Sequence, residues 1–372
     1  MDIAVIGNSA VNTGFAVAAD FAMAGHSVRL ASWPGAEVSL EPIRRRGGIE
    51  LAGDPAQSVS GKLGLAKPAV KDSIEAALRG ARLVFLDMLA PEFETRFAGI
   101  VEHLEPGQIV HVNIHGYWPA LRLAPILRAA GRSDVTLTDC PAPTIASSYA
   151  DGVVTLQWLR RRLPVTTFPA NRRDPALAVF KEAHPSIVPA RNVLETGFAG
   201  LNMMIHAAMA ILNIGWFDRA MEASETVYFY RGGNTPHSGK MAEAQDVERR
   251  PVCEAFGVAH RPLAQYLRDY YDAEGASIHE QVRNCAYYQA LPPYPTDVWK
   301  RWMATDVAHA HVPFAALSEL AGVSVPLHKS IIGLISAVLG RDFRTEGVTL
   351  QRLGLAGLDM AGIQRYVETG SA

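Results

Sequence analysis

Apolar and polar positions follow two regimes along the chain, and the change falls near residue 190. In the first regime short apolar runs recur at Ile3–Ile6, Ser27–Ala31 (SVRLA), Arg82–Leu86 (RLVFL), Gln108–Val112 (QIVHV) and Val135–Thr138 (VTLT). Two more follow at Gly152–Leu159 (GVVTLQWL) and near Thr166. Their length and β-branched content predict strands. Helical spacing lies between them, from Gly14 to about Ala24 and over Asp72–Leu78, Pro91–Leu104 and Ala120–Ala130. Strand–helix alternation predicts a mostly parallel sheet covered on both faces. The proline-rich segments 168–175 (FPANRRDP) and 184–192 (HPSIVPARN) close this half. Long helical stretches then take over: Gly197–Phe217, Asp246–Phe256, Pro262–Asp272, Ser277–Asn284, Pro313–Leu320 and Leu327–Leu339. The predicted fold class is therefore α/β, a Rossmann-type doubly wound mostly parallel sheet over residues 1–188. An all-helical second domain follows over 189–372, with the site expected in the cleft between the two.

The first 33 residues read as one strand–turn–helix–strand unit. Gly7 ends the strand, Gly14 opens the helix, and Gly25 supplies a left-handed stop before the second strand. A helix that starts at a strand's carboxyl end aims unpaired N–H groups at one point, which suits a pyrophosphate. The turn GNSAVNTG carries two glycines rather than the three of G-x-G-x-x-G, and a ligand-free βαβ unit shares that pattern. Gly7, Ser9, Ala10, Gly14 and Ser32 are the expected cofactor-binding residues. Ser32 stands where a carboxylate usually holds the ribose 2′-hydroxyl, and Arg44, Arg45 and Arg46 follow. NADP(H) is accordingly favoured over NAD(H).

Gly197–Phe217 has 21 residues without Asp, Glu, Lys or Arg, long enough to span a bilayer. Asn202, His206 and Asn213 would be costly there, and their spacing puts them on one helical stripe. A buried core helix with its polar stripe toward a cleft is the expected form. His206, one turn after Asn202, is the candidate acid/base, and a satisfied core histidine is the alternative. Spacing alone does not locate a carboxylate partner for it.

Composition narrows the partners. With 35 Lys and Arg against 37 Asp and Glu, the net charge of −2 points to no nucleic acid and no membrane surface. The three cysteines, Cys140, Cys253 and Cys285, are scattered and lack metal spacing, so no metal is expected. They suit a reducing compartment, and structure beginning at residue 2 leaves no room for a presequence. The expected location is cytoplasmic, and a homodimer through the helical half is the assembly considered.

Three segments carry a family likeness: 192–206 (NVLETGFAGLNMMIH), 301–313 (RWMATDVAHAHVP) and 339–355 (LGRDFRTEGVTLQRLGL). Through them the chain resembles the octopine/nopaline (opine) dehydrogenase family over nearly its full length. The resemblance implies reductive condensation of an amino acid amine with an α-keto acid through an imine, using NAD(P)H. It assigns His206 as general acid/base, Asp306 as the carboxylate that polarises it, and Asn202 as a residue holding substrate or orienting the histidine. Arg301 could pair with a substrate carboxylate, or fix its loop through a salt bridge. Trp302, His309, His311 and the loop from Tyr230 to His237 are expected around the amine. An imidazole titrates near pH 6.5, so beside a carboxylate it can give and take a proton near neutrality.

Departures from the family pattern are visible. The glycine turn is longer and lacks its middle glycine, Ala207 and Ala208 replace two prolines, and Thr305 replaces an acid. His309 and His311 are additions, and with Asp306 they make a conceivable metal set. Two other readings stand beside the resemblance. One is a keto-substrate reductase of the glycerol-3-phosphate dehydrogenase or ketopantoate reductase plan, which needs a lysine from among Lys240, Lys300 and Lys329. The other is a catalytically silent dinucleotide-binding sensor.

Overall fold

Each apolar run of the first half becomes a strand in a computed structural model that describes residues 1–7, 13–36 and 38–371. The strands are β1 (Asp2–Gly7), β2 (Ser27–Ser32), β3 (Ile49–Gly53), β4 (Gly64–Ala66), β5 (Ala69–Val70) and β6 (Leu83–Leu86). They continue as β7 (Ile109–Val112), β8 (Thr136–Asp139), β9 (Ile145–Ala150), β10 (Val153–Leu159), β11 (Pro164–Phe168) and β12 (Val188–Pro189). Eight of them form one sheet in the order β12-β11-β8-β7-β6-β1-β2-β5. From β5 to β8 every pair is parallel, and β11 joins β8 antiparallel. Ile3, Val5, Leu83 and Val84 are fully buried, which explains why these strands read as continuous apolar runs rather than alternating ones.

From β1 the chain moves to β2 and β5 on one side, then returns to β6 on the other. The reversal makes the carboxyl ends of β1 and β6 a topological switch point, where open α/β sheets bind ligands. The run GVVTLQWL, expected in this sheet, lies elsewhere. As β10 it pairs with β3 and β9 in a separate sheet of order β4-β3-β10-β9. Its burial alternates, with Val154 and Leu156 inside and Thr155 outside. A strand with one wet face does not suit the interior of a sheet covered on both sides.

The backbone separates into two compact units, Met1–Thr196 with Arg365–Ser371, and Gly197–Gln364. In the first unit the returning segment is held by Tyr366, whose ring lies 5.0 Å from Phe168. Arg128 also donates to the Gly370 carbonyl at 2.9 Å.

The second unit is helical throughout its described residues. The single helix expected over Gly197–Phe217 is instead broken into the end of Val193–Phe198, Leu201–Ile211 and the start of Ile214–Glu222, the run Val193–Ile211 meeting the last at 63°. Asn213 makes the break. Its side-chain amide donates to the carbonyls of Met209 (2.7 Å) and Gly233 (3.1 Å), so Asn213 ends the first helix instead of extending its polar stripe. No single helix among the described residues is long and apolar enough to cross a membrane.

The stretch read as a loop around His309 and His311 is helical. Val298–Asp306 and Val312–Leu320 form a continuous run joined by a π-turn over Val307–His311, closed by Val312 N–H donating to the Val307 carbonyl. Pro313 accounts for the widening, because a proline has no N–H and its ring crowds the carbonyl four residues earlier. The Ala308 carbonyl accepts the Val348 N–H at 2.7 Å. Gly347 permits that approach, since a Cβ there would lie 2.9 Å from the Ala308 oxygen and 2.6 Å from that of Phe343.

Candidate active site

His206 sits in the middle of helix Leu201–Ile211, and Asp306 ends helix Val298–Asp306. Their side chains meet at 2.8 Å, from Nδ1 to Oδ2, with His206 4% and Asp306 1% exposed. A carboxylate accepts, so Nδ1 carries a proton and Nε2 is the atom free to gain or lose one. Trp302 lies one turn before Asp306 on the same helical face, and its ring stacks on the imidazole at 4.8 Å and 15°. Phe229 meets the imidazole edge-on at 5.8 Å and 89°.

Nε2 lies 2.7 Å from the Tyr230 hydroxyl. Tyr230 comes from the short helix Phe229–Gly232, and its ring packs on Tyr288 at 4.7 Å. Burial, with Tyr294, Tyr287, Tyr271 and Asp306 nearby, holds its pKa well above the ordinary phenol value. The group therefore stays protonated and donates to a neutral Nε2. Tyr228, Phe229, Tyr230, Arg231, Tyr288 and Tyr294 are among the residues that wall a small cavity. Arg231 lies 3.6 Å over the Tyr228 ring, donates to the Leu291 carbonyl at 3.3 Å, and has no ion-pair partner among the described residues.

The other expected residues divide. Asn202 is half-buried one turn before His206. Arg301 is exposed, and its ring neighbour Trp302 faces the histidine in its place. His309 is buried within the π-turn. His311 belongs to the core: Nε2 donates to the Met203 carbonyl at 3.0 Å, and Nδ1 lies 2.9 Å from His328 Nδ1. Burial lowers His311 to about 4, and burial with His311 beside it pushes His328 well below the usual range. Asp306, His309 and His311 thus do not converge, and no cluster of metal-ligating side chains occurs among the described residues. The sequence places Tyr230 at the start of a loop expected around the amine, without showing that it meets His206 Nε2. Reading 298–306 as a helix would have shown Trp302 and Asp306 four apart, matching Asn202 and His206.

In the first unit, helix Thr13–Met23 starts against the end of β1. A Cβ on Gly14 would lie 2.9 Å from the Asp87 Cβ and 3.0 Å from the Gly7 Cα, so only glycine allows this approach. Asp87, just past β6, accepts the Gly14 N–H at 2.8 Å, and its carbonyl accepts the Trp33 indole N–H at 2.7 Å. Ser32 donates to the Trp33 carbonyl at 3.2 Å. Arg44 pairs with Asp72 at 2.6 Å and Arg45 with Asp151 at 2.9 Å. Ser9 and Ala10 lie outside the described residues.

Comparison with known proteins bears on this arrangement. Residues 189–339 match the family described as NAD/NADP octopine/nopaline dehydrogenase, alpha-helical domain. An opine dehydrogenase of Arthrobacter sp. (strain 1C) is 29% identical over 359 residues, covering 96% of each chain. A solved octopine dehydrogenase with NADH and L-arginine superposes with a TM-score of 0.74 at 17% identity, covering 100% of this chain and 98% of that one. A yersinopine dehydrogenase with NADP+ gives 0.64 at 15% identity, covering 99% and 98%.

Proposed function

We propose that the chain is a member of the octopine/nopaline (opine) dehydrogenase family, and that it condenses an amino acid amine with an α-keto acid and reduces the imine. It is an NAD(P)-dependent oxidoreductase acting on CH–NH bonds. The observation that carries the assignment of roles is the 2.8 Å contact between His206 Nδ1 and Asp306 Oδ2. Asp306 fixes the tautomer and balances the imidazolium charge. Nε2 is then the source of the proton needed when water leaves the carbinolamine and its acceptor in the reverse direction. Trp302 holds the ring plane, and the apolar wall around it protects the imine from hydrolysis.

At the β1–β6 switch point Gly14 lets the helix start approach Gly7 and Asp87 closely, with its N–H held by the Asp87 carboxylate, and this is the expected place for a dinucleotide. Gly7, Ser9, Ala10, Gly14 and Ser32 are the residues that would hold it, and the bound nicotinamide supplies the hydride. NADP(H) over NAD(H) now rests on Ser32 and Arg46, since Arg44 and Arg45 already have carboxylate partners. Asn202, Arg301, Trp302 and His309 remain the expected substrate contacts. Arg231 joins them as a guanidinium beside Tyr230 suited to a substrate carboxylate. The lysine-dependent reductase plan is less well supported, since Lys240 and Lys300 are exposed and Lys329 pairs with Glu319 at 2.7 Å.

The test is NADPH oxidation with amino acids against pyruvate, glyoxylate, oxaloacetate and 2-oxoglutarate, repeated with NADH. Consumption that requires both an amine and a keto acid supports the reading. Reduction of the keto acid without an amine sinks it, and tight NADPH binding without turnover favours the silent sensor. A cytoplasmic location and a homodimer complete the reading, to be checked by cell fractionation and by sedimentation of the purified chain.

A further inference from the structure

Every edge of the His206 imidazole is engaged. Nδ1 is held by Asp306 at 2.8 Å, one face is covered by Trp302, Phe229 closes the side, and Nε2 meets the Tyr230 hydroxyl at 2.7 Å. With His206 only 4% exposed, the next polar atom outward from the dyad is the oxygen of Tyr230. That same residue lines the pocket that Arg231 borders. We propose that Tyr230 is a proton relay, so that its hydroxyl, not the imidazole, faces the reacting oxygen of the substrate. The inference rests on the condensation reading above, with His206 as the proton reservoir.

The step balances without a redox change. As the carbinolamine loses water, the nitrogen lone pair forms the C=N bond, the C–O bond breaks, and its electron pair leaves with oxygen. Tyr230 gives its hydroxyl proton to that oxygen and takes the Nε2 proton of the imidazolium. His206 ends neutral, Asp306 stays an anion throughout, and Tyr230 is regenerated. In the reverse direction each proton retraces its path. A phenol held well above its ordinary pKa fits a relay, which passes a proton without resting as a phenolate.

The test uses the intact chain with the best amine and keto acid pair from the NADPH screen, comparing Tyr230→Phe with 3,5-difluorotyrosine incorporated at position 230. For Tyr230→Phe the relay predicts a fall in kcat of about 100-fold, with both KM values within about threefold of the parent. The fluorinated side chain, whose hydroxyl is more acidic, should restore most of kcat and move the alkaline limb of the pH–kcat profile to lower pH. Two results overturn the relay: a Phe variant with kcat near the parent value, or a fluorinated variant whose alkaline limb does not move. The underlying reading fails separately, in the parent itself, if no amine and keto acid pair is turned over, or if His206→Ala keeps its activity.

Discussion

Two histidine settings within the helical unit draw on the same two segments, residues 203–206 and 306–311, and differ in chemistry. His206 lies between an anion and a hydroxyl, Asp306 and Tyr230. His311 lies between a carbonyl and another histidine, Met203 and His328. Both rings are buried, yet only the first has a carboxylate hydrogen-bonded to it that can balance a second proton. In the second setting both Nε2 atoms face carbonyls, Met203 for His311 and Gln245 for His328 at 3.2 Å, and the two Nδ1 atoms face each other, so among the described residues no carboxylate is hydrogen-bonded to either ring to balance a charge. Burial therefore keeps this pair neutral, as its lowered pKa values indicate. Depth alone does not set a histidine's chemistry; the groups that its nitrogens face decide.

The largest expected effect breaks the first setting outright. His206→Ala should lower kcat by about 10⁴-fold while NADPH still binds, measured by turnover and by fluorescence titration of the nucleotide. Near-parent turnover would remove His206 from the chemistry. Asp306→Asn keeps the shape and removes the charge. It should cost about 10²–10³-fold in kcat with little change in KM, as steady-state kinetics would show. His311→Phe tests the second setting through stability. It leaves the Met203 carbonyl and the His328 Nδ1 unpaired, for a loss of about 1–3 kcal/mol in urea unfolding. An unchanged midpoint would mean the pair contributes no structure.

The smallest expected effect is a slope with pH. The folded pKa of His311, about 4, lies below the unfolded value of about 6.5, so the unfolded chain takes up the proton first. The stabilisation is complete above pH 6.5 and is lost as pH falls toward 4. His111 and His184, buried in the other unit at about 3 and about 4, act in the same direction. The difference between parent and His311→Phe isolates one contribution: their Tm values should converge on acidification through this window. Parallel curves would contradict it.

Much of this was legible in the chain. The strands of the parallel sheet announce themselves because they are buried on both faces, and period is not needed to find them. His206 stood out as a polar residue on an apolar helix, and its carboxylate came from resemblance, since 100 residues separate the two. The separate sheet was not legible, because β3, β4 and β9 are short or half-wet, and β10 looks like any other apolar run. Nor was the closing helix Met360–Thr369, whose partners Phe168 and Arg128 lie far back in sequence. The π-turn escaped because a proline two residues beyond His311 reads as an end of helix. Tyr230 escaped with it, for its value lies in which nitrogen it faces.

The π-turn at Val307–His311 also acts as a rotational offset. An α-helix fixes the bearing of every residue relative to every other, about 100° at each step. One extra residue in the turn releases the rod from that rule. Ahead of it, the angle is set by the need to aim Trp302 and Asp306 at the same imidazole. Beyond it, the angle is set by the need to bury Phe314 and Leu317. Deleting a single residue between 307 and 311 would restore ordinary hydrogen bonding and swing one half against the other. Either the dyad or the core would then face the wrong way, so the irregular turn lets one rod serve both.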